Sequence, residues 1–436
     1  YFLIKLMLVV KELYLKDISM ISANIEGYTA EAHVVLTEDG YLLTIHRIPG
    51  KPGSPAVLLQ HGVLGSSADW VILGRGKAIA YLLADQGYDV WLGNVRGNTY
   101  SRAHISISIK NPKFWDFSWH ESGVYDLPAM ITYIAKLKED FLRAYIGYSM
   151  GTTCFYVMAS ERPQIARLIR SMYSLAPVVF MQHVKSPLRY LICANSLFVI
   201  VGFDKAQFNY TLLPVILNHT PAGTSTRTVV HYAQEIQSGQ FRKYDFGSKQ
   251  NMMLYNSTEP PNYNLSKIMT PITLFVGDND WLSSPIDVVK LMKELPNEPT
   301  LYKVPFEKFN HIDFLWAKDA PKVMIISGDP PCIMKLKENT LSAYIGYRMG
   351  RTCFHVMATE RPEVAKLIRS MHSLAPIAFL KHSRSDLAYV LQLSRNYKAK
   401  QLSESLLSSL AGLPAITELH TSHSASVPIQ TRITQT

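Results

Sequence analysis

Four cysteines in 436 residues are too few and too scattered to build a disulfide framework. Cys193 and Cys332 stand alone, and Cys154 and Cys353 occupy equivalent places in two copies of one segment. No C-x-x-C occurs and the 14 histidines are dispersed, so no metal-ligand spacing is present and no cofactor is expected. Apolar stretches such as Tyr1–Val10 and Ile192–Phe203 are too short to cross a bilayer, so no transmembrane segment is expected. The net charge is +10, yet no basic stripe interleaved with aromatics accompanies it, which argues against a nucleic-acid partner. The charge is also unevenly spread. Residues 328–436 hold 13 Lys/Arg against 7 Asp/Glu, a net of +6, which leaves +4 for the first 327 residues.

What is present is a globular composition, 47% hydrophobic and 18% charged, with about 300 residues available for one large core. Inside it lies Gly147-Tyr148-Ser149-Met150-Gly151, preceded by a mostly apolar run, Leu142 to Ile146, and followed by a helix-like stretch. G-x-S-x-G between strand and helix is the context of a nucleophile elbow. The turn is sharp, the serine backbone is strained, and a side chain at either glycine would collide with the crossing strand and helix.

A serine needs a base, and the base needs an acid to orient it. Pro271–Gly277 (PITLFVG) reads as a buried parallel strand and is followed by Asp278-Asn279-Asp280. Leu301–Pro305 reads as another strand, followed by Phe309-Asn310-His311. Strand ends of a parallel sheet converge on one edge, so Ser149, Asp280 and His311 are the expected nucleophile, acid and base. Two backbone N–H groups must then meet the oxyanion. Met150, after the nucleophile, supplies one. Val63, in the loop His61–Gly65 after the strand Ala56–Gln60, supplies the other, with Gly62 permitting the tight turn and His61 in a supporting role. The serine excludes an epoxide hydrolase, which needs a carboxylate at the elbow.

The chain resembles the acid lipase family, which groups lysosomal acid lipase, gastric lipase and insect relatives. The matching text includes GYTAEAHVVLTEDGYLLTIHRIP (27–49), LLQHGVLGSSADW (58–70), DVWLGNVRGNTYSR (89–102) and FWDFSWHESGVYDLPAMI (114–131). It continues through the elbow, NHTPAGTS (218–225), GDNDWLSSPIDV (277–288) and FNHIDFLWAKDAP (309–321). The resemblance implies an α/β-hydrolase fold: a mostly parallel central sheet, helices on both faces and a helical cap at about 183–268. It implies hydrolysis of neutral lipid esters at a lipid–water interface, with the family's triad on Ser149, Asp280 and His311 and its oxyanion donors on Val63 and Met150. The departures are Tyr148, where the family usually has His, Met150 in place of Gln, and Ser283-Ser284 in place of Ala-Asp. The cap also looks shortened after Leu188. The alternative is a catalytically impaired, lipid-binding relative or a misassembled one.

Residues 136–183 recur at 335–382 without a gap, with 33 identities in 48 positions. The second elbow reads Gly346-Tyr347-Arg348-Met349-Gly350. A guanidinium is always protonated and cannot attack a carbonyl, so this copy is expected to be dead. The expected organisation is a leader or truncated signal remnant at 1–23 and a hydrolase domain at 24–327. A partial repeat at 328–390 and a low-complexity tail at 391–436 follow. Tyr1–Val10 reads either as the remains of a signal peptide or as an amphipathic leading helix. Four glycosylation sequons begin at Asn209, Asn218, Asn256 and Asn264, which points to a secretory route and a secreted or lysosomal destination.

Overall fold

The computed structural model describes residues 27–185, 212–321 and 323, with the two strands at 344–347 and 371–374. The expected leader, the apolar stretch Ile192–Phe203, Asn209, the linker at 328–331, Arg348 and the tail all lie outside the described residues. The chain divides into two compact units, Tyr1–Lys335 and Leu336–Thr436.

In the first unit the strands are β1 (Glu31–Leu36), β2 (Tyr41–Ile48), β3 (Ala56–Gln60), β4 (Asp89–Gly93), β5 (Ala103–His104), β6 (Ala144–Tyr148), β7 (Met172–Leu175), β8 (Ile272–Val276) and β9 (Thr300–Lys303). They form one sheet in the order β1-β2-β4-β3-β6-β7-β8-β9, with β5 paired to β2. Pairing is antiparallel around β2 and parallel from β4 through β9. The reason is legible in the strands. AVLLQ, DVWLG and AYIGY are buried at every position, as strands covered on both faces require. The edge strand TLYK is mostly exposed. The bounds of β6, β8 and β9 differ from the sequence reading by one or two residues. β6 runs through Tyr148, and β9 begins at Thr300 and ends at Lys303, because β9 follows its pairing with Thr273–Val276 rather than its apolar run.

The longer helices are α1 (Ile79–Asp85), α2 (Leu127–Lys138), α3 (Met150–Glu161), α4 (Leu213–His219), α5 (Thr226–Ser238), α6 (Ser248–Tyr255) and α7 (Pro285–Glu294). Helices α4 to α6 fall between β7 and β8, within the expected cap. α5 buries Thr228, His231, Tyr232, Glu235 and Ile236, a stripe at helical spacing. Ser225 caps it, its side chain accepting the Thr228 N–H. Its buried face is fastened to the body by His231 stacked 3.7 Å from Trp119 and by Tyr232 Oη, 3.0 Å from Thr153 Oγ1. From β3 the chain crosses to β4 on one side and later to β6 on the other. The carboxyl ends of β3 and β6 therefore form a switch point of the sheet, the kind of place where open α/β sheets bind ligands.

The second unit contributes β10 (Tyr344–Tyr347) and β11 (Met371–Leu374), a parallel pair forming a sheet of its own. Its register, Tyr344 opposite Met371, repeats that of the first copy, Tyr145 opposite Met172. The slot beside β3 is held by β6, from the first copy.

Candidate active site

Ser149 follows directly on β6 and precedes α3, with φ 51° and ψ −117°. A non-glycine residue there is strained by about 1–3 kcal/mol and persists only when its surroundings hold it. They do: the Ser149 N–H donates to the Leu175 carbonyl at 3.0 Å. Gly151 is required by close approach, since a Cβ there would sit 2.3 Å from the Gln60 carbonyl oxygen on β3.

The three side chains named from the sequence meet. His311 Nε2 lies 2.8 Å from Ser149 Oγ, and His311 Nδ1 lies 2.8 Å from Asp280 Oδ2. All three are buried. The other Asp280 oxygen, Oδ1, accepts the N–H groups of Leu282 and Ser283, each at 2.8 Å. That carboxylate is therefore fixed in rotation, one oxygen on backbone and one on imidazole. Ser283 Oγ in turn donates to the Pro177 carbonyl at 2.7 Å, tying the acid's loop to the segment after β7. On the base's side, Asn310 Oδ1 accepts the N–H groups of Ile312 and Asp313 at 3.0 and 3.2 Å, which closes the turn carrying His311.

The loop after β3 corrects one expectation. The left-handed residue is Leu64, with φ 60°, and Gly62 is not at positive φ. Gly62 leaves room instead: a Cβ there would lie 3.0 Å from two Tyr148 ring carbons and 3.1 Å from Ser149 Cβ, a tight fit. His61 is a supporting residue with a definite task. Its Nε2 accepts from Val95 N–H at 3.3 Å and Asn98 Nδ2 at 3.1 Å, so the ring proton sits on Nδ1 and is donated to the Gly62 carbonyl at 2.7 Å. Burial pushes the ring's pKa down to about 4, which keeps it neutral. The Gly65 N–H also reaches the Gly62 carbonyl, at 3.2 Å. C=O and N–H of one trans peptide point in opposite directions, so holding the Gly62 carbonyl aims the Val63 N–H. Val63 N–H has no acceptor among the described residues. Met150 opens α3, and the first N–H of a helix has no intrahelical acceptor.

Three contacts were not read from the sequence. Tyr148 Oη donates to the His311 carbonyl at 3.0 Å. Asp69 Oδ2 accepts the Ser66 N–H at 3.1 Å and Asp69 Oδ1 accepts from Thr220 Oγ1 at 3.3 Å, joining the loop after β3 to the segment after α4. Burial raises the Asp69 pKa to about 7. The Ala222 N–H adds a bond to the Leu64 carbonyl at 2.6 Å. The only signal was indirect: Asp69 and Thr220 fall inside two of the family-like segments, and Tyr148 is a departure from the usual His. Among the described residues no cluster of His, Cys, Asp or Glu could hold a metal ion. No described helix is long and apolar enough to cross a membrane. Cys154 is free and buried, and the other three cysteines lie outside the described residues.

A family model of the alpha/beta hydrolase fold matches residues 55–318, and one of a partial alpha/beta-hydrolase lipase region matches residues 20–74. Lipase 1 of Drosophila melanogaster is 42% identical over 332 residues, covering 68% of this chain and 75% of that protein. Human gastric triacylglycerol lipase is 39% identical over 343 residues, covering 68% of this chain and 86% of that protein. Human Lipase member K is 38% identical with the same coverage. With an α/β-hydrolase sheet, an elbow serine and relatives at this level of identity, the chain belongs to the α/β-hydrolases and, within them, to the acid lipase family of ester hydrolases.

Proposed function

We propose that the protein is a serine hydrolase that cleaves carboxylic esters of neutral lipids, of triacylglycerol or cholesteryl ester type, through an acyl-enzyme on Ser149. The observation that carries this reading is the unbroken hydrogen-bond chain Ser149–His311–Asp280 at 2.8 Å per link. Ser149 Oγ attacks the ester carbonyl while His311 Nε2 takes its proton. The tetrahedral oxyanion is met by the N–H groups of Val63 and Met150. Collapse expels the alcohol, which leaves with the proton from His311. Water, deprotonated by the same ring, then attacks the acyl carbon and releases the fatty acid and free Ser149. Asp280 holds the imidazole with its proton on Nδ1 and stabilises the imidazolium. The first 327 residues are only mildly basic, which suits a weakly anionic lipid surface.

A fluorophosphonate probe is the direct test. It should label wild-type protein at Ser149 and leave Ser149→Ala unlabelled but folded. Ser149→Ala should also lose many orders of magnitude of turnover on a short p-nitrophenyl ester. Residual turnover within about tenfold of wild type would refute the assignment. The sequon asparagines Asn218, Asn256 and Asn264 are exposed, which supports a secreted or lysosomal glycoprotein. Protein made in a eukaryotic secretory host should lose mass on enzymatic removal of N-linked glycans.

A further inference from the structure

We infer that Tyr148, the residue before the nucleophile, is a positioning residue that holds the base, the nucleophile and the oxyanion loop in one frame. This rests on the Ser149 reading and extends it. Three observations meet in one side chain. The hydroxyl donates to the His311 carbonyl at 3.0 Å. The ring lies 5.2 Å from the imidazole, centroid to centroid, tilted by 41°. The Cδ1–Cε1 edge of the ring lies against Gly62, where a Cβ would come within 3.0 Å of both atoms. Its backbone is continuous with Ser149.

This geometry has a chemical consequence. His311 sits on an irregular segment well beyond the end of β9, so no ladder of sheet hydrogen bonds holds its backbone. Asp280 fixes the ring from one end, but only through a side chain. Tyr148 fixes the backbone of the base directly, from the residue adjacent to the nucleophile. The distance between Ser149 Oγ and His311 Nε2 is thereby set over a short covalent path rather than across two loops. The hydroxyl is suited to donate: burial, and then the nearby Asp280, Asp69 and Asp313 carboxylates, hold the phenol well above its ordinary pKa, so it keeps its proton.

The test is Tyr148→Phe, which keeps the ring on Gly62 and removes only the hydroxyl. On a soluble p-nitrophenyl ester kcat should fall about tenfold, with KM within about threefold, because ester binding does not use this hydroxyl. The rate of fluorophosphonate labelling at Ser149 should fall in parallel, since that reaction also needs a base aligned with Oγ. The unfolding midpoint should move by only a few degrees. A kcat and labelling rate within about twofold of wild type would overturn the inference. So would a Phe variant that fails to fold, since the hydroxyl would then serve stability rather than the base. Wild-type protein that does not label at Ser149 would instead overturn the nucleophile assignment, and this inference with it.

Discussion

Asp280→Asn tests the triad through proton location rather than through charge alone. An asparagine at 280 has one oxygen and one NH2, and the structure decides which goes where. The site of Oδ1 receives two backbone N–H groups, from Leu282 and Ser283, each at 2.8 Å. Placing the NH2 there would leave two buried donors without acceptors, at roughly 1–3 kcal/mol each, and would oppose donor to donor. The amide oxygen therefore takes that place and the NH2 faces His311 Nδ1. That nitrogen must then accept, which moves the ring proton to Nε2. Nε2 points at Ser149 Oγ from 2.8 Å, so the former base becomes a donor to the group it should deprotonate. The expected loss in kcat on a short p-nitrophenyl ester is about 10⁴-fold, the scale on which a wrong histidine tautomer acts in triads of this kind. Thermal unfolding should be close to wild type, because every backbone bond at the site is kept. A variant that retains kcat within about tenfold would show that Asp280 does not set the tautomer, and the reasoning would fail.

Gly151→Ala should lower stability by about 3 kcal/mol, or prevent folding, because its Cβ would press on the Gln60 carbonyl from 2.3 Å; a melt within a degree of wild type would contradict this. Asp69→Asn should gain stability relative to wild type as pH rises from about 4 to 7. The Asp69 carboxyl, at about 7 when folded against 3.8 unfolded, contributes stability that is full below 3.8 and lost as pH rises toward 7, by on the order of 1 kcal/mol per pH unit. Paired melts at pH 4.5 and 7.5 read the difference, and a pH-independent gap would refute it. Deleting residues 328–436 should leave kcat/KM unchanged or improved, since Ser149, Asp280 and His311 all precede the cut; loss of activity in a soluble truncated protein would mean that the repeat completes the hydrolase.

The parts of this site that follow on from strands of the parallel sheet were legible in the residues. A buried strand ending in G-x-S-x-G, and strands followed by Asp280 and His311, place three groups at one sheet edge because parallel strands share a polarity. The oxyanion loop was legible in position but not in conformation. Gly62 looked like the turn residue, whereas Leu64 carries the positive φ and Gly62 makes room for the Tyr148 ring. Asp69 and Thr220 could not be paired from sequence, because 151 positions separate them and neither carries a periodic signal. β9 was displaced for a related reason: an edge strand is exposed, so its bounds follow its partner's register rather than its own hydrophobicity.

The matching registers of β6–β7 and β10–β11 bear on how the chain finds its fold. A strand pair that recurs in a sheet of its own carries its alignment within its own segment. The elbow segment is thus a candidate folding nucleus, and the polypeptide encodes two rival versions of it. Synthesis order separates the rivals. The first copy leaves the ribosome 199 residues before the second, roughly 10–40 s at ordinary elongation rates, which is time to thread the slot beside β3. Refolding from denaturant removes that head start and presents both copies at once. Only the copy with Ser149 can react with an active-site titrant, so refolded protein should titrate to a lower fraction of active sites than protein folded during translation.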